Sequence, residues 1–129
     1  MNKSQIINKM ISVIKDYAEK YNLEISDPVY GEAFKNSVWE GLLKDDSDIP
    51  TIVASNEDMV VELRSFWGNP ELDIRVDNNY ESRLMCVNYH ENKKTHEYEV
   101  DLFRVNGDDY KRSIDELEGI IKFIESEEV

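Results

Sequence analysis

Apolar residues near the start of the chain recur at intervals of three and four and predict an opening amphipathic helix. Lysines and acids fill the positions between them. The stripe consists of Ile7, Met10, Ile11, Ile14, Ala18 and Tyr21. Asn22 suits a left-handed C-cap, and Leu23 supplies the apolar contact that commonly follows one. We therefore expect the first helix to end at about Asn22.

A second helix is predicted to begin near Asp27 and Pro28, because a capping residue followed by proline is typical of a helix start. The buried stripe of this helix would contain Phe34, Val38 and Leu42. The pattern therefore places two helices before the rest of the fold.

From Thr51 to Val105 the hydrophobic period changes to two, which is typical of strands with one buried face. Turn-forming residues such as Gly68-Asn69-Pro70 and Asn78-Asn79 divide this region. Short connections favour an antiparallel meander. The predicted strands span residues 51–54, 59–67, 71–77, 81–90 and 95–105.

A closing helix is predicted from Ser113-Ile114-Asp115-Glu116, which has the form of a capping box. Its apolar stripe consists of Ile114, Leu117, Ile121 and Ile124. The expected fold is α+β and forms a single acidic domain over residues 1–129. It has two N-terminal helices, a four- to five-stranded antiparallel meander, and a C-terminal helix packed on one face of the sheet.

Alternation also assigns the two faces of the sheet and suggests a register. The predicted core face carries Met59, Val61, Leu63, Leu72, Ile74, Val76, Met85, Val87, Tyr89, Tyr98, Val100 and Leu102. Pairing Phe66 with Glu71 sets Arg64 opposite Asp73, Glu62 opposite Arg75 and Leu63 opposite Ile74. Such opposite-charge pairs stabilise a ladder. Leu72 would then lie opposite Met85, and a turn at Asn92-Lys93 would place Val87 opposite Tyr98.

The same register predicts an apolar strip bordered by carboxylates on the outer face. Leu84 and Cys86 would lie between Glu71 and Asp73 on one strand and Glu99 and Asp101 on the other, with Glu97, Phe66 and Phe103 nearby. Three interpretations stay open. The face is exposed to solvent without a function, it binds a protein, or a helix or second subunit covers it.

The net charge of −13 is unevenly distributed. Residues 1–44 hold six acids and six lysines, whereas the other 85 residues hold 22 acids and nine bases. An acidic chain repels nucleic acid and anionic lipid, so direct binding to either is not expected. The acidity either provides solubility or matches a basic protein partner.

No sequence motif indicates catalysis, a metal site or a cofactor. Cys86, His90 and His96 could suggest zinc, but the register places His96 on the core face and the other two outside. The cluster of Asp45, Asp46 and Asp48 lacks the ligand spacing of an EF-hand. Neither a nucleophile elbow nor a glycine-rich phosphate loop is present. We therefore expect a protein that is not an enzyme and has no cofactor.

The sequence also favours a cytoplasmic protein. Apolar runs are shorter than the roughly 20 residues that span a bilayer, and the polar residues of the first ten positions interrupt any signal-peptide core. A lone cysteine, Cys86, fits a reducing compartment.

The hypothesis drawn from this profile is a non-catalytic inhibitor that blocks a basic partner. The partner would be a nuclease toxin, with this chain as its immunity protein, or a defence nuclease inhibited by a nucleic-acid mimic. No family motif supports this choice, so it rests on analogy. The predicted contact residues are Glu71, Leu84, Glu97, Glu99, Asp101 and Phe103, with Asp45, Asp46 and Asp48 as a second patch.

Two alternatives stay open at this point. A dimeric secretion-type chaperone would fit the size, acidity and mixed content, and an obligate dimer would distinguish it from a monomeric inhibitor. A small enzyme or ligand-binding domain would instead have a deep pocket between helices and sheet, with polar groups such as Tyr30, Trp39 or His96.

Overall fold

The computed structural model describes residues 1–30, 49–66, 68–75, 83–105 and 110–126. The first helix, α1, spans Lys3–Tyr21. Two short strands, β1 (Glu24–Ile25) and β2 (Val29–Tyr30), follow it. The main strands are β3 (Pro50–Ser55), β4 (Val60–Phe66), β5 (Asn69–Arg75), β6 (Arg83–Glu91) and β7 (Tyr98–Val105). The second helix, α2, spans Tyr110–Glu125.

The prediction for α1 is confirmed along its apolar stripe and at its C-terminal end. Ile6, Met10 and Ile14 are almost completely buried. Asn22 takes a left-handed conformation with φ 57°, and the amide of Leu23 donates to the Ala18 carbonyl at 2.9 Å. At the other end the side chain of Asn2 caps the helix. The amphipathic stripe and its cap therefore define this helix from sequence alone.

The expected helix start at Asp27 and Pro28 is wrong. Val29 and Tyr30 form β2, which pairs antiparallel with Thr51 and Pro50 of β3. Proline is tolerated at the edge of a sheet as well as in the first turn of a helix, because neither position needs a hydrogen bond from the backbone N–H that proline lacks. The predicted stripe of Phe34, Val38 and Leu42 lies outside the described residues.

The antiparallel meander is confirmed from β3 to β7, in the spatial order β1-β3-β4-β5-β6-β7. Both β1 and β2 pair with the edge of β3 that faces away from β4. These two-residue strands escaped prediction, because hydrophobic alternation needs a longer segment to be visible.

Both helices pack on one face of the sheet and enclose the core. α1 covers β3, β4 and β5, whereas α2 covers β6 and β7 and contacts α1. Every predicted core residue whose side chain is described either belongs to this core or packs against it. The assignment of the core face by period two is therefore confirmed for these residues.

The predicted start of the closing helix is wrong, because α2 begins at Tyr110 and Ser113 lies inside it. A capping-box pattern also occurs by chance within helices, since its residue types are common there. The predicted stripe is confirmed by Leu117 and Ile124, which are buried, and Ile120 adds to it.

The strand register differs from the prediction by two residues at two ladders. Arg64 pairs with Glu71, Leu63 with Leu72 and Glu62 with Asp73. In the next ladder Leu72 pairs with Val87 and Ile74 with Met85. A shift by two keeps every side chain on its predicted face, since the side-chain period is also two.

Candidate functional site

Five charged residues form an ionic cluster on the sheet face opposite the helices. They are Glu62 and Arg64 of β4 with Glu71, Asp73 and Arg75 of β5. They alternate with core residues such as Leu63 and Leu72, so they occupy the other face. The strand period thus brings every one of these charges to the same side.

The two arginines bridge the three carboxylates. Arg75 Nη1 contacts Glu62 Oε1 at 2.9 Å and Asp73 Oδ2 at 2.5 Å. Arg64 donates through Nε to Glu71 Oε2 at 2.8 Å, and its Nη1 lies 3.2 Å from Glu62 Oε1. The cluster is therefore one connected network and not a set of separate pairs.

Arg75 explains why two acids, Glu62 and Asp73, can lie opposite each other in the ladder. Glu62 and Asp73 are direct cross-strand partners, and like charges in such positions repel. Arg75 binds both carboxylates. Burial acts to lower the pKa of Arg75, but its hydrogen bonds to Glu62 and Asp73 outweigh burial and raise the pKa. The guanidinium therefore stays charged and holds the two acids together.

The cluster is buried, which corrects the expected role of Glu71. The Glu71 residue is 3% exposed and Asp73 is 0% exposed, so neither carboxylate borders an open strip. Cys86, opposite Asp73, is also buried. This central part of the outer face therefore offers no accessible carboxylate to a partner.

Asn88 extends the buried polar region beside Glu71. Asn88 is 1% exposed, and neither its amide nitrogen nor its amide oxygen has a hydrogen-bond partner among the described residues. Sequence reasoning missed Asn88, although strand parity from Cys86 would have placed it on this face. A buried polar amide of this kind costs stability unless it is hydrogen-bonded.

Leu84 does not belong to an outer apolar strip. It is half-buried and packs against the core. The β5–β6 register is irregular after Ile74, and a bulge of this kind re-aims neighbouring side chains. The predicted strip of Leu84 and Cys86 is therefore wrong.

The β6–β7 turn is longer than predicted. It occupies residues 92–97, and the side chain of Asn92 accepts from the amides of Lys94 and Thr95 at 2.9 and 3.3 Å. His96 closes the turn with φ 61° and is exposed, which corrects its expected position on the core face. Asparagine side chains stabilise such local turns by accepting from backbone amides.

A longer turn moves β7 relative to β6. Glu99 pairs with His90 and Tyr98 with Glu91, whereas Val87 pairs with Phe103 instead of Tyr98. The register is irregular between Asn88 and Tyr89. Phe103 therefore lies opposite Val87, a core residue, in the ladder.

Glu97, Glu99 and Asp101 form an exposed group at the start of β7, which we call the acidic edge. β7 is the last strand of the described sheet. Glu99 lies opposite His90, four residues along β6 from Cys86 and so about 13 Å away. The acidic edge is therefore separate from the ionic cluster.

The contacts of the acidic edge are few and exposed. The carboxylate of Glu97 pairs with the amino terminus. Asp101 Oδ1 lies 3.5 Å from His90 Nδ1, and Glu99 Oε1 accepts from the Asn92 amide at 3.3 Å. Among the described residues no lysine or arginine pairs with these three acids. The charges of Glu99 and Asp101 are thus available to a partner.

Several predicted residues lie outside the described part of the chain. These are the patch of Asp45, Asp46 and Asp48, the residue Trp39, and the side chains of Phe103 and Tyr30. Their predicted roles stay predictions.

Within the described residues, no group of three or more histidine, cysteine, aspartate and glutamate side chains is arranged to hold a metal ion. His90 Nδ1 lies 3.5 Å from Asp101 Oδ1, and His96 Nδ1 lies 3.7 Å from Glu91 Oε1. The arrangement of the described site is therefore one of surface charge and not of converging ligands.

Comparisons with protein-family models, curated proteins and solved structures found no match for this chain. Neither described helix is long and apolar enough to cross a membrane.

Proposed function

We propose that this protein is a non-catalytic inhibitor that binds a basic protein partner through the acidic edge. The partner would be a nuclease toxin or another nucleic-acid-binding enzyme, whose cationic cleft the carboxylates occupy. An immunity protein or a nucleic-acid mimic would act in this way.

One observation carries the proposal, namely that the exposed charge after α1 is strongly acidic. Arg64 and Arg75 lie within the ionic cluster and are not exposed. In the described residues after Tyr21, three lysines are exposed: Lys93, Lys94 and Lys122. Ten acids are exposed there: Glu24, Asp27, Glu57, Asp58, Glu97, Glu99, Asp101, Asp115, Glu118 and Glu125.

Of these exposed acids, those of the acidic edge are the best placed to contact a partner. Glu99 and Asp101 occupy alternate residues of the outermost described strand, so a partner reaches them without displacing any element that the structure describes. A basic surface would gain complementary charge there without breaking a lysine or arginine ion pair of the described residues.

The experiment begins with capture of the partner from the native host on immobilised protein, followed by identification of the retained proteins. We expect a basic nucleic-acid-binding protein, and its enzymatic activity should fall when the purified chain is added. Retention of no basic protein, or a captured enzyme that keeps full activity, would contradict the proposal.

Charge-reversal variants then test whether the acidic edge is the surface that binds the partner. Glu99→Lys with Asp101→Lys should weaken binding by about tenfold or more, because it places cations against a basic surface. The matched control is Glu57→Lys with Asp58→Lys, an equal charge change in the β3–β4 turn at the opposite end of the sheet. Equal weakening by both variants would show that only total charge matters.

A further inference from the structure

A groove of about 290 Å³ lies between α1 and α2, apart from the ionic cluster and the acidic edge. Its volume is close to the lower end of the range for small-ligand sites, about 300 Å³. Its walls include Asp16 and Tyr17 of α1 with Glu116, Gly119 and Phe123 of α2. Apolar walls with a few polar groups are typical of a ligand site.

Gly119 keeps this groove open. A Cβ added at Gly119 would meet no heavy atom within 4 Å, so close packing does not require glycine. Glycine inside a helix costs about 1 kcal/mol relative to alanine. The chain thus carries a destabilising residue in α2 where a larger side chain would fill the groove.

Two acids, Asp16 and Glu116, belong to the lining of the groove. The Tyr17 hydroxyl donates to Glu116 Oε1, which fixes the Glu116 carboxylate at the wall. Burial and this neighbouring carboxylate raise the pKa of Tyr17, so the hydroxyl stays protonated as a donor. Asp16 lies on the opposite helix. Among the described residues neither acid forms an ion pair with lysine or arginine.

The aromatic walls also suit a cation. The ammonium of Lys9 already lies 4.6 Å from the centre of the Phe123 ring, a contact in which ring electrons attract positive charge. The lining cation, Lys20, places its ammonium 5.2 Å from the centre of the Tyr21 ring. Lys20 therefore neutralises neither carboxylate directly.

We infer that the groove binds an organic cation, a guanidinium or ammonium group on an apolar stem. The stem would lie against Ile120 and the aromatic rings, and the charged group would bind Glu116 and Asp16. This site is independent of the acidic edge and of the inhibitor proposal. Its ligand is either a free small molecule or an arginine side chain presented by a peptide.

The test uses phenylguanidine as the probe and phenylurea, its neutral counterpart of the same shape, as the control. Titration followed by two-dimensional NMR should give saturable shifts at the amides of Tyr17, Gly119 and Ile120 for phenylguanidine. We expect phenylurea to bind at least about tenfold more weakly, because it lacks the charge-assisted hydrogen bonds.

A second arm distinguishes the two sources of the cation. The peptide acetyl-Gly-Arg-Gly-amide is compared with its citrulline counterpart, which has the same shape without charge. Saturation by phenylguanidine alone assigns the groove to a free small molecule. Saturation by the arginine peptide as well assigns it to arginine side chains. Both results support recognition of an organic cation.

Three variants and one control locate the binding site. Gly119→Leu should fill the groove, and Glu116→Gln should remove a charge while keeping the acceptor for Tyr17; each should weaken phenylguanidine binding by about tenfold. Lys20→Gln should strengthen it by about twofold or more, because a neighbouring cation repels the ligand. Glu118→Gln, an equal charge change on the exposed side of α2, should have less than about a twofold effect.

Several outcomes would overturn the proposal. Equal affinity for phenylguanidine and phenylurea would show that charge is not recognised. Absence of saturable shifts with both guanidinium probes, or shifts located at the acidic edge, would exclude this groove as the site. If Glu116→Gln and Glu118→Gln weakened phenylguanidine binding equally, the total charge of the protein would explain the loss, and the position of Glu116 would not matter.

Discussion

The ionic cluster and the acidic edge contain the same residue types in opposite situations. In the cluster, three carboxylates share two arginines and are largely removed from solvent. At the acidic edge, three carboxylates lie exposed on the outermost described strand and the turn before it, and no lysine or arginine of the described residues pairs with them. Neighbouring arginines in the ladder thus decide which acids serve stability and which are available for binding.

The comparison also separates two energetic roles. Buried charges cost desolvation, which only their partners offset, so removing one partner leaves an uncompensated buried charge. Exposed charges contribute little to stability but act over several ångströms on an approaching molecule. Substitutions in the cluster should therefore change folding, and substitutions at the acidic edge should change binding.

The largest effect is expected for Arg75→Met. This change removes the cation that joins Glu62 and Asp73 and leaves two carboxylates facing each other. We expect the free energy of unfolding to fall by about 3–5 kcal/mol, measured by urea denaturation. A decrease below about 1 kcal/mol would contradict the structural role assigned to the cluster.

The same substitution, glutamate to glutamine, can be made once in the ionic cluster and once at the acidic edge to compare the two regions. Glu71→Gln should lower the free energy of unfolding by about 1–3 kcal/mol, since it weakens a buried charged hydrogen bond to Arg64. Glu99→Gln, the same change at the acidic edge, should stay within about 0.5 kcal/mol. Equal effects in the two variants would remove the distinction between the regions.

Two further acids, Glu116 and Glu125, lie near the buried tyrosines Tyr17 and Tyr89. Alkaline titration tests how this environment changes the ionisation of the two tyrosines. Burial is the main cause that raises the pKa values of Tyr17 and Tyr89 above the ordinary value of 10.0, and these carboxylates add to it. The unfolded chain therefore ionises these tyrosines first, and stability present below pH 10 should be lost as the pH rises further.

The expected slope is at most about 1.4 kcal/mol per pH unit for each tyrosine. Stability measured by urea denaturation between pH 9 and 11.5 should reveal it, and Tyr17→Phe with Tyr89→Phe should flatten the curve in about this range. An unchanged slope in the double variant would assign the loss to other groups.

The smallest effect on folding is expected for the charge reversal at the acidic edge. Glu99→Lys with Asp101→Lys should change the free energy of unfolding by no more than about 0.5 kcal/mol, because both side chains are exposed. Circular dichroism and thermal unfolding check this point. A loss comparable to that of Arg75→Met would show that these acids belong to the folding network.

Strand parity could be predicted from sequence, but register could not. Alternation assigned Leu63, Leu72 and Val87 to the core correctly. A shift by two preserves that assignment, and Arg64 faces a carboxylate in either register, Asp73 in the predicted one and Glu71 in the observed one. Pairwise charge rules also disfavoured the observed Glu62–Asp73 pair, since they omit the arginine that bridges it.

Burial of the outer face was one of three interpretations that the sequence left open, and alternation alone could not select it. Alternation of polar and apolar residues normally indicates one solvated face, whereas Glu71, Asp73 and Asn88 are buried. At the β6–β7 hairpin the side chain of Asn92 accepts hydrogen bonds from the backbone amides of Lys94 and Thr95 and so sets the length of the turn. Turn length depends on such local contacts more than on composition, so the alignment of Glu99 with His90 could not be foreseen.

The association rate of the captured partner across ionic strength tests the central claim most directly. For the wild-type chain we expect the rate to fall by about tenfold or more between about 0.05 and 0.5 M salt, because screening removes long-range attraction. Glu99→Lys with Asp101→Lys should flatten this dependence, whereas Glu57→Lys with Asp58→Lys should largely preserve it. A steep dependence that survives in the acidic-edge variant would contradict the account.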